Sequence, residues 1–374
     1  MYSPSATPPR PLRLSGSPLP VVGRLRAYVC GITPYDVTHL GHATTYLWTD
    51  LALRVARTQG VVTTLARNVT DVDEALVREA RRRGTTPDLL GALQRAAFDG
   101  TMAALRIRRP ELEPTAAQAV GQVVQLTAAL LAADRAYVAD GGVYARTRDA
   151  RVRAHLDEQA ATELAREYGD DPDAPGKEHP LDVLVWRTAG EGEASWPSPW
   201  GPGRPGWHAE CAAMSLAAFG SSVDLHAGGA DLRFPHHAVE ATLAEAVTGV
   251  APFARAWLHA GLVRIDGAKM AKSAGNLVMV DDLVASAGAA TVRMLCLGRP
   301  WAADWDYTPQ ELADAGTRLE GLYAAAGRPD PAEAAAEAVT AALLDDLDTP
   351  RALAIAVEAG GGAARRLVEI LDVG

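Results

Sequence analysis

The chain has 374 residues, 48% of them apolar, and a formal net charge of −10. This composition can bury the core of one large domain or of about two to three smaller ones, while the acidic balance repels phosphate backbones at long range and argues against nucleic-acid binding outside a local basic groove. No apolar run reaches the roughly 18 residues of a membrane span, and three dispersed cysteines, Cys30, Cys211 and Cys296, are too few for a disulfide framework, which fits a reducing cytoplasm.

Residues 1–25 open with a Pro- and Ser-rich stretch that lacks the apolar segment of a signal peptide, and are expected to form a mobile or surface-hugging arm. AYVCGI (27–32) reads as a short buried strand ending in a turn. Helical spacing of apolar residues follows from Thr44 to about Gln59. VVTTLARNV (61–69) has the β-branched content of a second strand. This order predicts a βαβ unit with a parallel pair, whose ligands sit outside the carboxyl ends of the strands. Cys30 and Asn68-Val69-Thr70-Asp71 fall at that edge. Residues 72–136 look mainly helical, and 137–205 are broken by Asp, Gly and Pro clusters, as an insertion within the sheet would be. The sheet is expected to resume at VDLHAGG (223–229), to be followed by a helix from Pro235, and to continue in LHAGLVRID (258–266). From about residue 308 the sequence is Ala- and Glu-rich and helical.

Three constellations carry chemistry. Cys30, Cys211, His236 and Glu240 are apt donors for tetrahedral zinc, and the last two stand four residues apart, on one helix face. Taken singly, each favours a buried structural role, and the spacing matches no CxxC-type metal pattern. His39-Leu40-Gly41-His42 lies between the first strand and its helix, where imidazoles beside a helix N-terminus can cradle phosphate or simply cap the helix. Lys269-Met270-Ala271-Lys272-Ser273 is either a solvated loop or a pair of cations placed to neutralise a departing pyrophosphate.

In order, YVCGITPYDVTHLGHATTY, RNVTDVD, PGRPGWHAECAAM, GGADLRFPHH and HAGLVRIDGAKMAKS closely resemble the catalytic domain of class I aminoacyl-tRNA synthetases of the cysteinyl type. The likeness runs from about Tyr28 to Asn276. SWPSPWGPGRPGWHAECAAM, ITPYDVTHLGHATTY and DDLDTPRALA resemble more closely a paralogous group, the mycothiol-pathway ligases that join cysteine to the amine of glucosaminyl-inositol and lack a tRNA-binding extension. The resemblance implies an α/β, Rossmann-like catalytic domain over 26–307, a helical insertion at about 110–205 and a short helical region over 308–374, too short for a complete anticodon-binding region.

It also implies roles. Cys30, Cys211 and His236 would hold one zinc ion, on which the substrate thiol binds as thiolate; this selects against serine. Gly31, Ile32, Thr33, Val69, Thr70, Trp207, Ala230 and Asp231 would line the cysteine pocket, with Thr45, Asn68 and Gly229 nearby. His39 and His42 would face the phosphates of MgATP, Leu262 and Val263 would offer backbone to adenine, and Lys269 and Lys272 would stabilise the activation transition state. Two positions depart from the pattern. Glu240 stands where the tRNA synthetases have a fourth zinc ligand and the mycothiol-type ligases a non-ligating residue. Ala271 replaces the serine of KMSKS. The reaction so implied forms cysteinyl-AMP and passes it to an amine, most directly glucosaminyl-inositol. A different amine, tRNA, or a non-catalytic cysteine- or nucleotide-binding role are the alternatives. A cytoplasmic monomer is expected, without tRNA or membrane partners.

Overall fold

The computed structural model describes residues 10–35, 38–190, 194–270, 275–329 and 334–374. Its elements, in chain order, begin with a hairpin, β1 (Leu12–Leu14) and β2 (Ser17–Leu19), then β3 (Arg24–Ile32), α1 (Leu40–Arg57) and β4 (Val62–Val69). There follow α2 (Glu74–Arg82), α3 (Pro87–Ala104), α4 (Val120–Ala132), β5 (Ala136–Ala139), β6 (Gly142–Ala145), α5 (Ala150–Arg153), α6 (Glu158–Glu167), β7 (Val183–Thr188) and β8 (Gly203–Pro205). The chain continues through α7 (Trp207–Phe219), β9 (Val223–Gly229), α8 (Ala238–Thr248), β10 (Ala254–Ala260), β11 (Val263–Ile265), β12 (Ala268–Lys269), α9 (Val280–Ala287), α10 (Ala289–Leu297) and β13 (Trp305–Asp306). It ends in α11 (Pro309–Ala326), α12 (Ala334–Leu344), α13 (Thr349–Ala359) and α14 (Gly361–Leu371).

The central sheet is parallel, in the order β10-β9-β3-β4. Strands buried on both faces read as continuous apolar runs rather than alternating ones, and the middle of β3 is such a run, buried from Ala27 to Cys30. The expected β3–α1–β4 unit is present. The connection from β3 leads to β4 on one side, whereas β9 lies on the other, so a crevice opens at the carboxyl ends where the order reverses. Helix α1 packs across the sheet with Leu47, Trp48, Leu51 and Val55 fully buried.

The sequence expectations are modified at four places. The insertion carries a four-stranded antiparallel sheet, β5-β6-β7-β8, in addition to its helices. The run 258–266 is two strands in different sheets, because the chain turns away at Gly261. A side chain there would run into the Ala303 carbonyl, and the Gly261 amide instead donates to Trp301 O at 2.9 Å. Pro235 does not begin a regular helix: Phe234 is extended (φ −145°, ψ 136°), and α8 starts at Ala238. The N-terminal arm, from residue 10 on, is docked by Leu12, Leu14 and Leu19, each at most 4% exposed. Helices α11–α14 share the apolar core of the parallel sheet, and the buried Arg293 ties α10 to both flanks by donating to Leu371 O (2.8 Å) and Leu105 O. A second core joins the insertion to α7 and α8. Among the described residues no helix is long and apolar enough to cross a membrane.

Candidate active site

A cleft of about 760 Å³ opens at the carboxyl ends of β3, β9 and β10. Of the residues singled out in the sequence, Cys30, Gly31, Ile32, Thr33, His39, His42, Thr45, Gly229, Asp231, Leu262, Val263 and Lys269 line it. Tyr35, Thr38, Phe98, Met270 and Leu277 also line it, and the sequence assigned them no individual role. Lys272 and Ala271 lie outside the described residues.

The inner end is built by β3, α7 and the start of α8. The β3–β4 pairing is irregular between Val29 and Ile32, which turns Cys30 inward at the strand end. Gly31 is obligatory there, since a side-chain carbon would lie 1.6 Å from the Asn68 carbonyl oxygen. Asn68 locks this corner: its Oδ1 accepts from the Gly31 amide (2.9 Å), and its Nδ2 reaches Thr70 Oγ1 (3.2 Å) and Cys211 Sγ (3.4 Å). Asn68, Val69 and Thr70 therefore support the wall from behind rather than line it. Trp207, 39% exposed, stacks on the His236 ring at 4.3 Å, and Ala230 follows Gly229 in the turn after β9.

One potential ligand atom from each of Cys30, Cys211, His236 and Glu240 lies within 4.8 Å of all the others, and all four residues are buried. Glu240 Oε1 stands 3.9 Å from His236 Nε2 and has no hydrogen-bond partner among the described residues. His236 Nδ1 meets His208 Nδ1 at 2.9 Å, which orients the ring with Nε2 toward the cluster. Without a cation such a group is electrostatically awkward. Burial, then Cys211 and Glu240, push the Cys30 thiol well above its ordinary pKa; burial raises the Glu240 carboxyl and drives the His236 imidazole well below its usual value. A divalent ion reverses each of these preferences at once. Two thiols, an imidazole and a carboxylate are a donor set suited to zinc.

A second group shares two of these residues. His226 and His237 join Cys30 and Glu240 with ligand atoms equally close. His226 Nε2 is 3.2 Å from Glu240 Oε2, and His237 Nε2 is 3.3 Å from Cys30 Sγ while its Nδ1 meets His259 Nε2 at 2.9 Å. Sequence reasoning passed over these histidines. His226 sits inside an apolar strand and His237 beside a residue already chosen; only the histidine-rich spacing across 226–259 signalled them.

The outer end is different in kind. His39 caps α1, its Nδ1 accepting from the Gly41 amide at 3.2 Å, and its ring stacks on His42 at 3.8 Å. Burial, with the charges of His39 and Lys269 adding, lowers His42 to about 3, so it is a neutral imidazole at physiological pH. Both rings stand at a helix N-terminus that favours anions. Across the cleft Lys269 Nζ contacts Asp231 Oδ2 at 2.7 Å and lies 5.4 Å from the ring centroid of Tyr168, which belongs to the insertion. The Leu262 amide is engaged by Asp304 Oδ1 at 2.8 Å, so Leu262 contributes wall rather than a free donor.

The chain matches the family described as tRNA synthetases class I (C) catalytic domain over residues 20–317. It is 44% identical over 353 residues to the L-cysteine:1D-myo-inositol 2-amino-2-deoxy-alpha-D-glucopyranoside ligase of Rhodococcus jostii, covering 91% of this chain and 84% of that one. The protein of the same name from Streptomyces coelicolor is 44% identical, with 88% and 82% covered, and that of Mycobacterium ulcerans 46%, with 87% and 82% covered. Among solved structures, Mycobacterium tuberculosis methionyl-tRNA synthetase bound by methionyl-adenylate superposes with a TM-score of 0.65 at 18% identity, over 93% of this chain and 84% of that one. The leucyl enzyme agnB2 of Agrobacterium radiobacter K84, in a complex with tRNA, gives 0.66 at 11% identity, over 97% and 84%. These two likenesses bear on the fold. With the Rossmann-type sheet, the cleft at its switch point and the extent of these matches, the chain belongs to the family of class I (C) tRNA-synthetase catalytic domains.

Proposed function

We propose that this chain activates L-cysteine with MgATP as cysteinyl-AMP and transfers the cysteinyl group to the amine of glucosaminyl-inositol, forming an amide and releasing AMP. The observation that carries this reading is the buried Cys30, Cys211, His236 and Glu240 cluster at the inner end of a cleft whose outer end presents His39, His42 and Lys269. Support for the acceptor comes from the names of relatives that align over most of their length.

Cys30, Cys211, His236 and Glu240 would hold a zinc ion, which when bound would supply a borderline-soft Lewis acid that lowers the pKa of a thiol and favours it over a serine hydroxyl. The rest follows from the side chains. Thr33, Thr45 and Asp231 line the same cleft and offer polar groups to the backbone of an amino acid. Neutral His42 donates an N–H to phosphate oxygen without needing a proton from solvent, and the α1 N-terminus adds its amides. Lys269, joined by Lys272, balances the charge that grows on pyrophosphate as it leaves. Carboxylate oxygen attacks the α-phosphorus, the bond to the bridging oxygen breaks, and pyrophosphate departs with the electron pair. The acceptor amine then attacks the carbonyl carbon, the bond from that carbon to the phosphate oxygen breaks, AMP leaves with the electron pair, and the nitrogen gives up one proton to solvent.

The test is cysteine-dependent exchange of labelled pyrophosphate into ATP with zinc-loaded protein, followed by AMP release with a panel of acceptors. Exchange with cysteine but not serine is expected, then turnover with glucosaminyl-inositol. Absence of exchange rejects catalysis. Turnover with cysteine tRNA, or only with another amine, rejects the proposed acceptor; Glu240, buried in the cluster, gives that outcome a structural basis.

A further inference from the structure

Among the described residues that line the cleft, Asp231 is the one carboxylate and Lys269 the one Lys or Arg. They are 38 residues apart in the chain and are paired with each other at 2.7 Å. Burial works against the Lys269 ammonium, yet Asp231 holds its pKa above the ordinary value; the Tyr168 ring, at the end of α6, adds a face for the cation. The arrangement satisfies both charges in the free protein. It leaves neither available.

Both groups are needed elsewhere once substrates arrive. A zwitterionic amino acid in this cleft brings an ammonium, for which Asp231 is the available counter-charge. A triphosphate brings anionic oxygens, for which Lys269 is the available cation. Either substrate gains its full interaction only by drawing one partner out of the Asp231–Lys269 pair, and doing so releases the other partner for the second substrate.

We propose that the Asp231–Lys269 pair is a shared latch through which amino acid and nucleotide promote each other's binding. The inference rests on the proposed cysteine and ATP substrates. By linkage the assistance is reciprocal. The pair is partly exposed, with side chains 46% and 26% accessible, so the latch is weak. Its release is worth about two- to five-fold in affinity.

Calorimetric titration of the zinc-loaded full chain with L-cysteine tests this, with and without α,β-methylene ATP, which cannot form the adenylate. In the wild type the analogue should tighten cysteine binding by about two- to five-fold. Lys269→Met should bind cysteine that much more tightly without nucleotide, and the analogue should add nothing. Lys269→Arg, which keeps the charge, should bind no more tightly than wild type. Unchanged or weaker cysteine binding by Lys269→Met, or an analogue without effect on wild type, overturns the latch alone. A wild-type protein that binds no cysteine overturns the proposed function as well.

Discussion

The two ends of the cleft solve different problems with different materials. At the inner end, Cys30, Cys211, His236 and Glu240 are at most 6% exposed, sit on three separate elements of regular structure or their immediate flanks, and are braced from behind by Asn68 and His208. At the outer end, His39, His42 and Asp231 are half-buried and Lys269, the last residue of the two-residue strand β12, is exposed. Discrimination between a thiol and a hydroxyl needs fixed donors in a dry setting, because a loose site would let either ligand find a compromise. Phosphate charge that moves during the reaction needs groups that can follow it. On the proposed reading, specificity belongs to the scaffold and charge management to its rim.

The largest expected effect comes from breaking the rigid end. Cys211→Ser should lower zinc content to near zero and cysteine-dependent pyrophosphate exchange by about 10³-fold or more, because a structural donor set does not survive loss of a thiolate. Metal analysis beside the exchange assay checks it, and an active, metal-free variant would remove the basis of the comparison. Next in size is Glu240→Gln. If the carboxylate is a ligand, competition against a chelator should show zinc affinity falling by about 10- to 100-fold, with the protein still folded. Unchanged affinity would reduce the donor set to Cys30, Cys211 and His236 and leave Glu240 as a partner of His226.

The smallest effect belongs to the outer end and concerns pH. The folded chain holds His42 at about 3, below its unfolded value near 6.5. Between those values the unfolded chain binds the extra proton, so stability rises with pH across that window and is lost as pH falls through it. His42→Gln should flatten that dependence by about 1 kcal/mol, read as the difference between unfolding free energies from urea titrations at pH 7 and pH 5.5. A variant with the wild-type pH slope would show that the imidazole is not held neutral by its surroundings.

Much of this site was legible in the sequence because its parts lie at strand and helix ends marked by local signals. Cys30 follows an apolar run and precedes a turn, His39 precedes a helical period, and Cys211 falls on the helix that Trp207 begins. What stayed hidden depends on distance in the chain. The approach of His226 and His237 to Cys30 requires β9 to pair with β3 across a span of chain that holds α1 to α3 and the whole insertion. The Asp231–Lys269 pair likewise joins residues from either side of β10 and β11. Gly261 broke a stretch that reads as one strand, because the reason for the break is the carbonyl of Ala303, invisible to local propensity. The antiparallel sheet of the insertion was obscured by strands of three to six residues between Pro, Gly and Asp.

The position of β3 in the sheet bears on how the chain is made. Its neighbour β4 follows within one helix, but its other neighbour, β9, begins at Val223, and the core beneath them also needs α14. As the polypeptide leaves the ribosome, one edge of an apolar strand stays unpaired while the insertion is translated, and the floor of the cleft cannot assemble before β9 and α8 emerge. Late closure of this kind slows folding and exposes sticky edges to other chains. On the proposed reading Cys30 and Cys211 are metal donors in the finished fold; until β9 and α8 emerge they are solvent-accessible thiols, so the site can be loaded only after that late closure.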